Sequence, residues 1–201
     1  MFDPETKTWS QLPPLSTSLV FYAVVVHNND IYFSGGMSTT GQCNDVALVL
    51  RDGSNAWEIC SRMPSRRYAC KAFAHDDKIY VVGGRVMMSP SNAVESLDVA
   101  SKCWTKHPEI LVSRMFGALV QKDNLIYLMG GLKGTGEYIN AAEMFDMEKN
   151  SWKNISAMPS KRADMAIGLC IDKILNHVKF SQRNYVRHRV SSRRIFAFCI
   201  V

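Results

Sequence analysis

Hydrophobic and polar positions alternate in short blocks along this chain, and residues 67–112 show the arrangement most clearly. An apolar run over residues 68–74 and a second over residues 78–82, rich in β-branched and aromatic side chains, flank the turn-forming sequence His-Asp-Asp. Such runs bounded by turn residues are typical of a β-hairpin. After a polar loop, residues 92–99 predict a third strand and residues 103–106 a short fourth one. The pattern therefore predicts a four-stranded antiparallel sheet.

The same unit recurs along the chain with a fixed period. Tryptophans recur at steps of 48, 47 and 48 residues, and a Gly-Gly pair begins 26 residues after each of the first three: Trp9, Trp57, Trp104 and Trp152, with Gly35-Gly36, Gly83-Gly84 and Gly130-Gly131. A period of roughly 45–50 residues is that of a four-stranded propeller blade. Paired glycines permit positive φ and close approach of backbones, which a radial array requires near its axis. We therefore predict an all-β fold, a partial β-propeller of about three complete four-stranded antiparallel blades with partial blades at both ends.

The repeats also predict the domain boundaries. Complete blades are expected at about residues 16–64, 65–112 and 113–159, a partial blade at 160–174, and a remnant of a preceding blade at 1–15. The repeat pattern stops after Ile174, and all of the net charge of +6 lies beyond that point. Residues 175–201 are therefore expected to be an unrelated basic tail, with disorder as an open alternative. Because an open arc exposes apolar blade faces, we expect the isolated chain to self-associate or to be poorly soluble.

Composition and motifs argue against several functional classes. Six scattered cysteines form no C-x-x-C pair, which is typical of reduced thiols in an intracellular protein, and we expect a cytoplasmic location. The first residues lack a secretory signal, and no apolar stretch reaches the length of a membrane span. Nucleophile, phosphate-loop and zinc motifs do not occur, so we expect no enzyme activity, metal or cofactor. A basic arm for nucleic acid or a membrane is the alternative for the tail, but its aromatic residues follow no stacking pattern, and we expect neither partner.

Charged residues separate between the two faces of the predicted propeller. In an antiparallel blade the loop before the first strand and the loop after the second share a face, whereas the hairpin turns lie opposite. The first face receives mainly basic residues, and the opposite face collects acids that favour turns. Since Arg suits bidentate recognition of carboxylates, we predict that the first face binds a protein partner, with an acidic peptide segment as candidate ligand, through Arg66, Arg67, Arg85, Arg114, Lys133 and Arg162. The alternative for the periodic members, Arg67, Arg114 and Arg162, is a scaffold role in which they bond neighbouring loops within each blade.

Motifs within the repeats resemble those of a known family. A strand of sequence Ile-Tyr-x-x-Gly-Gly begins at Ile31, Ile79 and Ile126, and an acidic turn, a Trp and Met-Pro-x-x-Arg follow in the clearest repeats. This order is similar to that of the kelch repeat. The variant Phe-Asp-x-Glu-x-x-x-Trp, at residues 2–9 and 145–152, resembles most closely the BTB-kelch, or kelch-like, group. The first repeat departs from the pattern, with Leu19 at the place of the periodic arginines.

The resemblance implies a function. Kelch-like propellers dock protein substrates on their loop face, so the chain is expected to be a protein-interaction module that resembles the substrate-recognition part of a cullin-type ubiquitin ligase adaptor. The BTB and BACK segments that contact the ligase in that family are missing from this sequence, and ligase binding is expected to require them. The alternative is an actin- or cytoskeleton-associated kelch scaffold protein.

Overall fold

Strands form all of the regular secondary structure in residues 1–170 and 173–177, the part of the chain that the computed structural model describes. The strands are two to five residues long, as the short apolar blocks of the sequence predict. In chain order they are β1 (Phe2–Asp3), β2 (Thr8–Trp9), β3 (Leu19–Val20), β4 (Ala23–His27), β5 (Asp30–Ser34), β6 (Met37–Ser38), β7 (Val46–Leu50), β8 (Glu58–Arg62), β9 (Lys71–His75), β10 (Lys78–Val82), β11 (Arg85–Val86), β12 (Ser89–Pro90), β13 (Val94–Asp98), β14 (Trp104–His107), β15 (Ala118–Lys122), β16 (Leu125–Met129), β17 (Ala142–Asp146), β18 (Ser151–Ile155), β19 (Ala166–Cys170) and β20 (Lys173–His177).

Three four-stranded antiparallel sheets form the body of the fold. Blade A consists of β4-β5-β7-β8, blade B of β9-β10-β13-β14 and blade C of β15-β16-β17-β18, and in each the spatial order follows the chain. The first strands β4, β9, β15 and β19 lie side by side in this order. This is the radial arrangement of a propeller, in which the first strand of each blade is the innermost. The predicted fold class is confirmed.

Blade B has the four predicted strands, but the first, third and fourth differ from the predicted bounds by one to three residues at their ends. β10 has the bounds predicted for the second strand and pairs with β9 and β13 along its whole length. β13 is shorter than the predicted third strand because Asn92 and Ala93 leave the β10–β13 pairing. Their carbonyl oxygens accept hydrogen bonds from the backbone N–H groups of Ile110 and Gly83 instead.

The hydrophobic core lies between neighbouring blades. Tyr80 of blade B packs in one cluster with Phe145 and Trp152 of blade C. A second cluster joins Tyr32 of blade A to Ile79 of blade B. Each cluster thus unites the facing sides of two sheets, which is how a propeller buries apolar surface that a single blade leaves open.

Three of the four periodic tryptophans bond the preceding repeat. Their indole N–H groups donate hydrogen bonds from Trp57 to the Pro13 carbonyl oxygen (2.8 Å), from Trp104 to Ser61 Oγ (3.1 Å) and from Trp152 to the Pro108 carbonyl oxygen (3.0 Å). Trp152 is 9% exposed, and burying an indole contributes roughly 4–6 kcal/mol. Trp9, in the hairpin β1–β2, is 76% exposed and contacts the Phe2 ring at a centroid distance of 5.1 Å.

Each Gly-Gly pair fastens one blade to the next through the backbone. The N–H of the second glycine donates to the carbonyl oxygen of the periodic arginine in the following repeat: Gly36 to Arg67 (2.9 Å), Gly84 to Arg114 (2.9 Å) and Gly131 to Arg162 (2.7 Å). Gly35 has a φ of 69°, and a Cβ there would lie 2.4 Å from the Arg67 carbonyl oxygen. Only glycine fits this approach.

Two shorter hairpins flank the three blades. β1 pairs with β2 in the register Phe2↔Trp9, as Phe145 pairs with Trp152 in blade C. β19 and β20 pair like the first two strands of a blade. β20 extends to His177, so backbone pairing continues three residues past position 174. The remainder of the predicted basic tail, residues 178–201, lies outside the described residues, and the predicted domain boundaries stay predictions.

Candidate protein-binding face

Four residues in the left-handed region line the inner end of the loops that lead into the innermost strands. They are Phe21, Ala69, Phe116 and Asp164, with φ between 50° and 56°, and each lies two residues before its strand. The N–H groups of the last three donate to the carbonyl oxygen of the equivalent residue one repeat earlier, at 2.7, 3.0 and 2.8 Å. We call these four the rim residues. Their hydrogen bonds run from blade to blade and fix the rim of the propeller axis.

The rim carries an aromatic cluster that is open to solvent. The Phe21 ring meets the Phe116 ring edge-on at a centroid distance of 5.1 Å, and Tyr68 lies at 6.2 Å from Phe21. Phe21 is 47% exposed. A non-glycine residue with φ near 55° costs roughly 1–2 kcal/mol, and the hydrogen bonds to the neighbouring repeats hold it there. The result is a partly exposed apolar surface whose backbone is hydrogen-bonded from blade to blade.

A short hairpin extends the same face. β11 and β12, in the loop after β10, present Met87 and Met88 at their tip, and each is 79% exposed. Arg85 and Tyr68 exchange backbone hydrogen bonds at 2.7 and 3.1 Å, so the hairpin begins beside the aromatic cluster. Methionine is flexible and polarisable and is common on surfaces that bind partners.

Two of the predicted partner-binding residues are buried. Arg67 is 0% exposed and Arg114 is 1% exposed. Arg67 donates to the Glu95 carboxylate at 2.5 Å, and Arg114 forms the equivalent ion pair with Glu143. Neither side chain can reach a partner in this arrangement, which corrects their inclusion on the binding surface. The contacts of Arg67 and Arg114 agree with the alternative interpretation, in which the periodic arginines bond neighbouring segments within a blade.

The Arg114 site illustrates how completely such a buried pair is satisfied. The guanidinium also donates to the carbonyl oxygens of Gly130 (3.0 Å) and Ala141 (2.9 Å). The Glu143 carboxylate accepts from the backbone N–H groups of Leu111 (2.7 Å) and Val112 (3.1 Å). Burial lowers the pKa of Arg114, and the charge of Glu143 opposes that shift. The pair therefore ties the third strand, the Gly-Gly turn and the incoming loop together.

Arg162 has the same place in the next repeat but a different environment. Its Nε donates to Ser160 Oγ at 2.8 Å, and within residues 1–170 and 173–177 it forms no ion pair. The sequence has no Asp or Glu after Asp172, so no counterpart of Glu143 exists further along this chain. Arg162 remains partly exposed and stays a candidate for partner binding.

Arg66 reaches the surface but shares a carboxylate with a neighbour. Its side chain is 70% exposed and lies 3.3 Å from Asp45. Asp45 also accepts a hydrogen bond from Arg62 at 2.7 Å. Two guanidinium groups thus meet one carboxylate, which leaves an excess positive charge at this point.

Arg85 and Lys133 occupy the loops after the second strands of blades B and C. Arg85 is half-buried and donates to the Met88 carbonyl oxygen at 3.3 Å. Lys133 is exposed, and the nearby Glu137 bonds Lys161 at 2.7 Å, which lowers the pKa of Glu137. Part of the predicted basic surplus is therefore neutralised within the face.

Acids on the opposite face shape turns. Asp98 accepts hydrogen bonds from the N–H and hydroxyl of Ser101, both at 2.8 Å, and these bonds lower its pKa. Asp146 is bonded in the same way by the side chain and N–H of Lys149, with the same effect on its pKa.

Metal-ligating side chains and cysteine thiols are the candidate chemistry of the chain within residues 1–170 and 173–177. Among these residues, no group of three or more His, Cys, Asp or Glu is placed to hold a metal ion. Burial raises the pKa of the Cys70 thiol to about 11, which keeps it protonated at neutral pH. No helix in the described residues has the length and apolar character needed to cross a membrane.

The sequence analysis did not predict the aromatic and methionine residues of this face as partner-binding residues. Phe21 and Phe116 share one position in the repeat with Ala69 and Asp164, so aligning the repeats locates the rim. The side chain at that position changes from repeat to repeat, and therefore no motif marks it. Met87 and Met88 lie in a loop without a repeated sequence.

Known proteins share this repeat architecture. A family model described as the KLHDC2/KLHL20/DRC7 Kelch-repeats domain matches residues 1–175. Kelch repeat protein C2 of Vaccinia virus (strain Western Reserve) is 28% identical over 159 residues, which cover 79% of this chain and 30% of the viral protein. Kelch-like protein 40 of Xenopus tropicalis is 25% identical over 162 residues, 77% of this chain and 26% of that protein. Alpha-scruin of Limulus polyphemus is 24% identical over 191 residues, 80% of this chain and 21% of that protein. The chain thus spans less than a third of the length of each of these relatives.

A solved structure supports the same fold. The structure of YjhT superposes with a TM-score of 0.78 at 17% identity, covering 85% of this chain and 62% of that one. At this identity the likeness concerns the fold alone. Together with the family match over residues 1–175, it leads to one conclusion: the chain belongs to the KLHDC2/KLHL20/DRC7 Kelch-repeats domain family, whose repeats generally serve as protein-interaction modules.

Proposed function

We propose that this chain binds a protein partner on the face formed by the rim residues, the β11–β12 hairpin and the accessible basic side chains. The observation that carries the proposal is the partly exposed aromatic cluster of Phe21, Tyr68 and Phe116, whose backbone is fixed by the hydrogen bonds between rim residues. Aromatic, Met and Arg side chains are enriched in protein interfaces, and rigid aromatic groups often supply most of the binding energy.

An acidic peptide segment fits this face. Arg85 and Arg162 form no ion pair with a carboxylate among the described residues, and Lys133 is exposed. A carboxylate of the partner would gain charge-assisted hydrogen bonds from these side chains. Together with the apolar cluster on the same face, they favour a segment that carries both acidic and apolar residues.

The role proposed for the bound partner is that of a substrate for a cullin-type ubiquitin ligase, in the cytoplasm. This rests on the family match and on relatives such as Kelch-like protein 40. In the kelch-like group, ligase contacts belong to BTB and BACK segments, so the residues described here would supply recognition only.

Affinity capture with the full chain tests the proposal. The variant Phe21→Asp with Phe116→Asp removes the aromatic cluster and places at both positions the residue that Asp164 provides at the equivalent one, also with positive φ. The control Val26→Asp alters an apolar residue of similar exposure, 49%, in strand β4. We expect the rim variant to lose the captured proteins, measured by quantitative mass spectrometry, and the control to retain them.

The captured proteins also separate the functional alternatives. Cullin subunits and ubiquitylation of the captured partner support the ligase role. Co-sedimentation with actin filaments, lost in the rim variant, supports the cytoskeletal scaffold instead. Equal recovery of every protein by the rim variant and the unaltered chain would contradict binding at this face.

A further inference from the structure

Equivalent grooves lie in blades A and B on the proposed binding face. Each is bounded by the loop that leads into the blade, the loop after its second strand and its two outer strands. The groove of blade A has a volume of about 370 Å³ and that of blade B about 480 Å³. The backbone positions correspond, whereas the side chains do not.

Three positions in the blade A groove are apolar where blades B and C are polar. Leu48 pairs with Phe33 as Glu95 pairs with Val81, and Ile59 pairs with Leu48 as Lys106 pairs with Glu95. Leu19 stands at the place of the periodic arginines. The three apolar positions in blade A are therefore Leu19, Leu48 and Ile59. The equivalent residues are Arg67, Glu95 and Lys106 in blade B, and Arg114, Glu143 and Asn154 in blade C.

This exchange leaves an open apolar floor. Replacing both members of a buried ion pair by apolar residues often preserves stability when they pack well. Here Leu19 and Leu48 are only half-buried and Ile59 is 63% exposed. A β-bulge between Ala47 and Leu48 shifts the register of β7 against β8 at the same point, and bulges re-aim side chains beside functional sites.

Two arginines stand at the edge of this floor. The side chains of Arg62 and Arg66 are 61% and 70% exposed, and both contact the single carboxylate of Asp45, which is 18% exposed. One positive charge is therefore in excess beside an apolar groove. The matching ligand is an apolar side chain next to a carboxylate.

We propose that the blade A groove is a second subsite, which receives a Leu, Ile or Phe side chain of the partner while an adjacent Asp or Glu bonds Arg62 and Arg66. The inference rests on the proposed function, because the partner is the protein bound at the rim. It adds a site lined by side chains between residues 15 and 66. Among the three blades that the structure describes, blade A alone has this apolar floor, since blades B and C carry a buried ion pair there.

Selection of a random peptide library on the full chain tests this subsite. We expect enriched peptides to contain an apolar residue next to Asp or Glu. Ile59→Lys installs the residue that blade B has at this place, at an exposed position that does not carry the core. This variant should lower the affinity for the enriched peptide about tenfold, as measured by fluorescence anisotropy, because the apolar contact is lost. Val26→Lys, at a similarly exposed apolar residue, should leave the affinity unchanged.

The charged part of the subsite has its own readout. The double variant Arg62→Gln with Arg66→Gln should lower the affinity for the peptide severalfold. The same double variant should have no effect on the affinity for a peptide in which the acidic residue is replaced by its amide, Asn or Gln. If Ile59→Lys changes the affinity less than twofold while the rim variant abolishes binding, the subsite is wrong and the proposed function stands. If no peptide is enriched, or neither variant alters binding, both proposals fail.

Discussion

Blade A and blades B and C have the same four-stranded architecture but differ in the pair of side chains at one internal site. Blades B and C place a buried arginine–glutamate pair there, and in blade C backbone N–H groups also bond the carboxylate, whereas blade A has two half-buried leucines, Leu19 and Leu48. The backbone contact between blades is common to all, since Gly36, Gly84 and Gly131 each donate to the next repeat. The comparison indicates that the period of the fold depends on the glycine contacts, and that the side chains at this position can be exchanged.

The ion pair of blades B and C and the leucine pair of blade A differ in how much stability a single substitution removes. A buried ion pair offsets the cost of removing two charges from water only while both members are present. Two leucines have no such dependence, and losing one removes only its own apolar contact. Blades B and C should therefore be far more sensitive than blade A to a single substitution at this position.

The largest expected effect is that of Glu143→Leu, which gives blade C one half of the blade A arrangement. Arg114 would remain buried without its carboxylate, at a cost of about 3–5 kcal/mol in the free energy of unfolding. Urea denaturation of the full chain measures this loss. Glu137→Leu removes a carboxylate from the exposed pair with Lys161 and should not shift the midpoint detectably. A loss below about 1 kcal/mol for Glu143→Leu would show that the pair is not enclosed.

Gly35→Ala tests the contact that the blades share. Its Cβ would overlap the Arg67 carbonyl oxygen at 2.4 Å, and φ is 69°, so we expect a loss of about 2–4 kcal/mol. Gly41 also has a positive φ, 81°, but nothing lies within 4 Å of a Cβ there, and Gly41→Ala should cost only about 1 kcal/mol in the same denaturation experiment. Equal losses for the two variants would mean that strain, and not the approach of the blades, requires glycine.

Conversion of blade B to the blade A arrangement should have a smaller effect. Arg67→Leu or Glu95→Leu alone leaves one buried charge, whereas the double variant leaves none and should lie within about 1–2 kcal/mol of the unaltered chain. A double-mutant cycle in urea gives the coupling between the two sites. Losses that simply add would contradict the view that the pair is exchangeable as a unit.

The sequence predicts the scaffold better than the surface. The Trp and Gly-Gly period predicts the blades because each marker fills a place where neighbouring repeats touch, as Trp152 and Gly35 do. The arginines could not be assigned, because the period alone does not reveal that Glu95, 28 residues from Arg67, meets it inside the blade. Aligning the repeats places Phe21 at the rim position, but its positive φ and its exposure cannot be predicted from the residue type, which does not favour that backbone conformation.

The smallest expected effect is a dependence of stability on pH that comes from blade B and has no equivalent in blade C. His107 in β14 bonds Ser96 at 2.8 Å, and blade C has Ile155 at the paired position. Burial lowers the pKa of His107 from 6.5, so the unfolded chain takes up the proton more readily than the folded one. Its contribution to stability is present above pH 6.5 and is lost as the pH falls from there towards the lowered pKa of the folded state. His107→Ile should therefore flatten the dependence of the urea midpoint on pH below 6.5, and an unchanged slope would mean that other groups cause it.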